Sequence, residues 1–412
     1  KLDEMAAVNE RYSSMYPGEK DVETMLLRSA AYYAKSNSFD KAINVYRNFI
    51  RRFPNSTRTI ECLYMIAKCQ YDMGDKENAV LGFSQAEQQN IRFTEEGIEP
   101  NNYYASEAAF MTGMIKRDKF LAIKLILPDD VLKRLVKEKS DLLNESAKAF
   151  QRVIQYQSEK MFEAAYRVGQ LYEDMAIAYK EQERPKLDPL KAAVLEKDIL
   201  NVASQLMQKS FIPYTKEISL AKSFDSLTVD QRIWIQKSQE GISSNFLKAG
   251  QMLFNSVAAM NDAPIPKEIQ DKPLHYYQYL KQLLETLAPL KRQVADYYGN
   301  VLLQLDTLKL RDNDAARECA NQYAFVNYLI GDGYDKLSTM ILSRSKDITK
   351  NMSESEREDL VFQLEDIVFE LQDKAIFEFE DALGRIEERM LADSPWYTKI
   401  IESLARLSPD KY

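Results

Sequence analysis

The stretch Ala165–Tyr172 reads Ala-Tyr-Arg-Val-Gly-Gln-Leu-Tyr, and its glycine is the residue that most needs an explanation. The apolar residues around it have helical spacing, yet a glycine inside a helix costs about 1 kcal/mol relative to alanine. A helix that keeps a glycine usually needs another backbone close by. We therefore predict that Gly169 marks a close approach between packed helices.

The pattern around this glycine recurs along the chain. Gly250 follows Gly169 after 81 residues, and Gly331 follows Gly250 after another 81. Many apolar positions keep the same register, and the two tryptophans, Trp234 and Trp396, lie two periods apart. This repetition predicts a stack of long helical hairpins.

The composition favours few, long elements. Glycine and proline total 12 + 13 = 25 of the 412 residues, which is about half the average usage. The net charge of −8 argues against nucleic acid or an anionic membrane as the main partner. No run of 18 apolar residues occurs, so no transmembrane helix is predicted. The chain begins at Lys1 rather than Met, and we expect either that a leader was removed or that this is an excised piece.

Residues 21–160 carry shorter helical stripes with a period of 37 residues, so that Ala79 follows Ala42 and Phe83 follows Tyr46. A turn at residues 16–18 precedes them, and we interpret residues 1–20 as a linker or as the end of a preceding helix. The stripes alternate with turn residues and with helix-stopping proline. They predict a series of short helical hairpins.

These stripes resemble tetratricopeptide repeats. The resemblance is carried by Ala42, Tyr46 and Pro54, by the run from Gly74-Asp75 to Ala86, and by the Val168–Tyr172 segment. The phrases Phe39-Asp-Lys-Ala42 and Phe53-Pro-Asn-Ser56 are similar to bacterial envelope members of the BamD and YbgF type. The resemblance covers roughly residues 23–183, lacks the consensus tryptophan and is interrupted in its third unit.

The third unit opens with Asn101–Ile123, but Lys124–Ser140 intervenes before the returning helix at Ser146. Pro128 followed by two aspartates provides a stop and a new helix start. We infer a hairpin that is elongated by about 20 residues. It is either a tolerated extension of two helices or a projecting arm that touches a partner.

Residues 161–412 are predicted to continue the same array as longer hairpins, each with two helices of about 35 residues. Such helices are about 50 Å long. Pro213 and Pro289 are expected to kink or break them. Residues 262–267 form the clearest predicted loop, and Trp396 begins a last short helix. The expected domain organisation is therefore 1–20, 21–160 and 161–412.

The sequence contains no convincing catalytic, cofactor or metal constellation. The one histidine, His275, stands at a predicted helix start and is interpreted as a surface or capping residue. Cys62 and Cys69 are about 10 Å apart on one helix, too far for a disulfide. With Cys319 they are expected to be free, buried thiols. The acidic run from Glu378 is interpreted as a solvated helix face rather than a cation site.

In tetratricopeptide proteins the first helix of each repeat lines a concave surface that binds peptide. The resemblance therefore implies a groove, lined by aromatic and charged side chains, if neighbouring helices leave this face open. Aromatic side chains and arginine dominate interface energies. The implied partner-binding residues are Tyr64, Lys68, Tyr71, Phe110, Met114, Arg117, Tyr166, Gln170 and Glu173.

We thus predict an all-α fold, a right-handed α-solenoid of tetratricopeptide-like hairpins followed by longer hairpins with a period of about 81 residues. The predicted function is a non-enzymatic scaffold that binds a protein or peptide, without cofactors. The resemblance implies a bacterial cell envelope or periplasmic location, with the cytoplasm as the alternative. A self-associating structural protein is the alternative function.

Overall fold

The computed structural model describes residues 1–261, 273–307, 314–348 and 353–412, and every regular element in these ranges is an α-helix. The first eight helices are α1 Leu2–Met15, α2 Val22–Lys35, α3 Phe39–Arg52, α4 Thr59–Asp72, α5 Lys76–Glu95, α6 Asn102–Ala122, α7 Asp129–Gln155 and α8 Met161–Glu181. The others are α9 Pro189–Lys209, α10 Phe211–Ala221, α11 Val229–Asn261, α12 Pro273–Thr307, α13 Asp314–Ile348, α14 Glu354–Glu388 and α15 Tyr397–Leu407.

The chain divides into two compact units. Unit 1 contains Lys1–Asp174, Glu181–Glu183 and Lys209–Gln239, and unit 2 contains Met175–Lys180, Arg184–Gln208 and Glu240–Tyr412. Consecutive helices from α1 to α7 in unit 1, and from α12 to α15 in unit 2, pack against one another as hairpins. The predicted all-α fold of tandem helical hairpins is therefore confirmed, whereas the division at residues 20 and 160 stays a prediction.

The short hairpins of unit 1 follow from their apolar stripes. Helices α2, α3 and α4 are each 14 residues long. The stripe residues Ala42, Tyr46 and Phe49 of α3 are buried in one cluster with side chains of α2 and α4. Helix α1 joins this array, since the Ser29 hydroxyl donates a hydrogen bond to the Ala6 carbonyl at 2.8 Å.

The third hairpin is elongated, as predicted. Helix α6 has 21 residues and α7 has 27, and the start of α7 directly after Pro128 matches the predicted stop and restart. The extension is anchored by Lys139 of α7, a buried lysine. Its ammonium group donates to the carbonyls of Phe120 and Ile123 at 2.6 and 3.0 Å, which closes the C-terminal end of α6.

The three glycines that share the 81-residue register all face an aromatic ring on a later helix. A β-carbon added at any of them would lie less than 3.0 Å from ring atoms, a distance that real β-carbons essentially never show. The close approach predicted for these positions is therefore present, but the neighbour is a side chain rather than a backbone. The pairs are Gly169 with Tyr214, Gly250 with Tyr298 and Gly331 with Phe379.

The long hairpins also have the predicted lengths. Helices α12, α13 and α14 contain 35 residues each, and α11 contains 33. The predicted helix is interrupted between α9, which ends at Lys209, and α10, which begins at Phe211. Pro213 therefore lies in the first turn of α10, where proline is tolerated. Pro289 instead lies inside the continuous α12. The predicted loop at residues 262–267 falls outside the described residues.

Candidate protein-binding surface

Helix α4 was expected to supply three groove residues, and it buries one of them. Tyr64 is only 8% exposed, because its ring packs between those of Phe83 and Tyr104, with centroids 5.6 and 5.4 Å away. Lys68 and Tyr71 are half-buried, and the Lys68 ammonium lies 5.3 Å from the centre of the Tyr71 ring. Tyr64 is thus a core residue, and the α4 surface is formed by Lys68 and Tyr71.

Helix α6 shows the same division. Phe110 is only 7% exposed and packs edge-on against Phe150, with the Lys160 ammonium 4.5 Å from the ring centre. Met114 is half-buried, and Arg117 forms an ion pair with Asp174 at 2.9 Å. Lys160 therefore covers the ring of Phe110, and Phe110 is a core residue rather than part of an exposed groove.

Helix α8 presents a connected set of the predicted residues. The ring of Tyr166 lies against those of Tyr214 and Trp234, with centroids 5.5 and 5.4 Å away. The Gln170 amide donates to the Tyr166 hydroxyl at 3.2 Å, and the Tyr214 hydroxyl donates to Glu173. The structure therefore brings together Tyr166, Gln170 and Glu173 around Tyr214.

The residue that completes this surface, Trp234 at the start of α11, was not among the predicted groove residues. Its ring is half-buried and lies beneath two cations, with the Arg167 guanidinium 5.1 Å and the Lys237 ammonium 3.9 Å from its centre. A cleft of about 490 Å³ opens beside it, lined by Glu159, Lys160, Glu163, Thr228, Asp230, Ile233 and Trp234. The spacing of the two tryptophans marks Trp234 as a repeat position, but it does not predict that Trp234 belongs to a binding surface.

The same arrangement occurs in unit 2 at a spacing of 162 residues. The Trp396 ring lies 5.7 Å from that of Tyr328, and the Lys399 ammonium is 4.8 Å from its centre. Tyr328 and Lys399 are 162 residues after Tyr166 and Lys237, so the register extends to three interacting side chains. In unit 2 a further ring, Phe325, stacks on the tryptophan at 4.3 Å.

A second cleft in unit 1, of about 610 Å³, lies between α7, α8 and α10. It includes Glu217, a buried carboxylate that accepts a hydrogen bond from the Ser238 hydroxyl at 2.5 Å. Among the described residues, its Oε1 atom has no hydrogen-bond partner. Burial raises the pKa of Glu217 to about 8, against a smaller lowering by the serine hydroxyl. Glu217 is therefore mostly protonated at neutral pH.

The interpretation of the acidic run as a solvated face is wrong for its first member. Glu378 is buried and forms an ion pair with Arg292 of α12, while Asp381 accepts hydrogen bonds from Tyr323 at 2.6 Å and Asn327 at 3.0 Å. These carboxylates join α14 to α12 and α13. In the ranges described above, no group of three or more histidine, cysteine or acidic side chains is arranged to hold a metal ion.

The cysteine and histidine predictions agree with the structure. Cys62, Cys69 and Cys319 are free and buried, and His275 is exposed in the first turn of α12. None of the helices, over the residues described, is both long enough and apolar enough to cross a membrane.

The tetratricopeptide repeat family model matches residues 23–56 and 61–89, which contain α2, α3, α4 and part of α5. The resemblance is thus confirmed for the first two units. No curated protein matches the chain.

Among solved structures, the chain is similar to a circular tandem repeat protein with novel repeat topology and enhanced subunit contact surfaces. The identity is 10% and the TM-score 0.20, covering 100% of this chain and 96% of that one. It is also similar to yeast Tom70, with 11% identity and a TM-score of 0.16, covering 99% and 97%. Similarities at these scores carry no argument about fold or function.

Proposed function

We propose that this chain is a non-enzymatic scaffold that binds a peptide segment of another protein on the face formed by α4, α6, α8 and the first turns of α11. The observation that carries the proposal is the Trp234 cleft, in which an indole ring with two cations above it borders an open cavity. The family match to the tetratricopeptide repeat at residues 23–56 and 61–89 supports it.

The chemistry of this face suits a peptide better than a small metabolite. A tryptophan ring offers a large apolar contact at low entropic cost, and such rings are frequent centres of interface energy. The charged side chains around it alternate in sign, with Lys160 and Arg167 close to Glu159 and Glu163. An extended peptide would place an apolar side chain against the indole and polar groups against the charged rim. The net charge of −8 disfavours nucleic acid in this role.

In-cell photo-crosslinking tests the proposal. A photoreactive phenylalanine analogue replaces Tyr71, which is half-buried on α4, or Ile233, which lines the cleft. The control position is Leu81, which is 62% exposed on α5. We expect the first two positions, but not the control, to form a crosslink to a discrete foreign protein, which mass spectrometry identifies. Identical products from all three positions would contradict the proposed surface.

We further propose a bacterial cell envelope or periplasmic location. The support is the similarity of the Phe39–Ala42 and Phe53–Ser56 phrases to envelope proteins of the BamD and YbgF type. Osmotic-shock fractionation of the native cells tests this proposal. Recovery of the chain with cytoplasmic markers would contradict it without affecting the peptide-binding proposal.

A self-associating structural protein is the second candidate, because the long stacked helices α12, α13 and α14 could also pack against those of a second copy. Sedimentation velocity over a concentration series decides this point, because a concentration-independent monomer excludes self-assembly of this chain.

A further inference from the structure

Helix α14 carries three phenylalanines that do not contribute to the core. Phe362, Phe369 and Phe377 are 66%, 67% and 63% exposed, which is unusual for side chains of this size. They are 7 and 8 residues apart, so they occupy one side of the helix. At a rise of 1.5 Å per residue they form a stripe about 22 Å long. We call this stripe the Phe face.

The Phe face lies on the side of α14 that faces away from the core of unit 2. The core side of α14 is formed by Leu364, Val368, Leu371, Ala375 and Phe379, all of which are buried against other helices. At 100° per residue these positions lie on the opposite side of the helix from the three exposed phenylalanines. Helix α14 is therefore apolar on two opposite sides, and only one of them is covered within the described part of unit 2.

Unpaired carboxylates lie among the phenylalanines of the Phe face. Glu365, Asp366 and Asp373 are exposed and have no ion-pair partner in the described ranges. The neighbouring Glu370 is neutralised by Lys374 one turn further along. The surface thus combines a central aromatic stripe with a surplus of three negative charges.

We propose that the Phe face is a docking site for a basic amphipathic helix of another protein. Such a helix would insert apolar side chains between the phenylalanines and place lysine or arginine opposite the carboxylates. A second copy of this chain would instead bring carboxylates against carboxylates, and an anionic membrane would repel them too. The length of the stripe calls for a partner helix of about 15 residues or more. The Phe face belongs to unit 2 and the Trp234 cleft to unit 1, and the proposal does not depend on that cleft.

Fluorescence anisotropy with a synthetic probe tests the proposal. The probe is a fluorescein-labelled 18-residue helical peptide with leucines along one side and lysines flanking them. We expect saturable binding to the full chain, reduced roughly tenfold or more in Phe369→Ser, because a central aromatic residue carries much of such an interface. The matched control is Leu342→Ser on α13, a residue that is 55% exposed, and it is expected to bind like the parent chain. Circular dichroism confirms that both variants remain folded.

Charge reversal separates specific docking from general attraction. In Asp366→Lys with Asp373→Lys, binding of the lysine peptide should fall, and a peptide with glutamate in place of lysine should gain affinity. If Phe369→Ser binds the lysine peptide as tightly as the parent, the attraction reflects only the net charge of −8, and the proposal is overturned. Absence of saturable binding overturns it as well. Sedimentation showing a dimer that Phe369→Ser abolishes would assign the Phe face to a second copy.

Discussion

Gly250 and Gly384 both lie inside long helices, in α11 and α14, but their surroundings differ. A β-carbon at Gly250 would meet the ring of the fully buried Tyr298, whereas one at Gly384 would meet no atom of the described residues within 4 Å. We predict that Gly250→Ala lowers the melting temperature by several °C and that Gly250→Leu lowers it further. Gly384→Ala should raise the free energy of unfolding by up to about 1 kcal/mol, since alanine is the better helix former.

Thermal unfolding followed by circular dichroism measures both effects on the same helical signal. The Gly384 variant serves as the control for helix propensity alone. An unchanged melting curve for Gly250→Leu would show that the 81-residue register does not mark a packing constraint.

Glu217 gives a pH-dependent prediction. Because its pKa in the folded chain is raised to about 8, the folded state keeps a proton that the unfolded chain releases near pH 4.5. Its contribution to stability is therefore fully present below about pH 4.5 and is lost as the pH rises towards 8, by about 1.4 kcal/mol per pH unit. Glu217→Gln removes this dependence. Urea unfolding from pH 5 to 8 should show the stability of the variant, relative to the parent, increasing with pH; a constant difference would contradict the shift.

At the scale of the helix, the sequence was most informative where a period repeats. The stripe of Ala42, Tyr46 and Phe49 indicated which side of α3 is buried, and the 81-residue register gave the length of α12 to α14. The sequence was less informative where the burial of a side chain depends on a neighbouring helix. Tyr64 and Phe110 have the right register for an open groove, but Tyr104 and Lys160 cover them, and a repeat pattern does not specify such covering side chains.

The same limit explains two other differences. Glu378 looked like a solvated residue because acids alternate with apolar residues around it, yet its partner Arg292 is 86 residues away in sequence. Trp234 was recognised as a repeat marker, but its cleft exists only because residues of α8 and α11 come together. Contacts between distant segments determine both, and the pattern of a single sequence does not reveal such contacts.

Lys139 gives a prediction about the elongated hairpin. Replacing it with alanine leaves the carbonyls of Phe120 and Ile123 without their donor, in a region where Lys139 itself is buried. We expect a loss of about 1–3 kcal/mol in the free energy of unfolding. Lys137→Ala, two residues away and exposed, is the matched control and should change it by less than about 0.5 kcal/mol. Equal urea midpoints for the two variants would show that the ammonium does not anchor the extension.

At the scale of the whole molecule, the buried thiols allow the opening of each unit to be followed. Cys69 lies in unit 1 and Cys319 in unit 2, and burial raises the pKa of these thiols to about 11 and about 12. Burial limits access of a reagent to the sulfur, and the raised pKa lowers the fraction of the reactive thiolate. We predict slow labelling by a thiol-reactive disulfide at pH 8, with rates that rise in urea as each unit opens. Mass spectrometry assigns the labelled cysteine, and immediate labelling of Cys319 in the native chain would contradict its burial.

The duplicated aromatic arrangement has a spectroscopic consequence. The chain contains two tryptophans, and Trp234 belongs to unit 1 while Trp396 belongs to unit 2. Each therefore acts as an intrinsic fluorophore for one unit, with a tyrosine ring and an ammonium group close enough to alter its emission. Substituting phenylalanine for one of them leaves a single emitter. Stopped-flow fluorescence can then time, without any attached dye, whether a ligand reaches the first unit or the second.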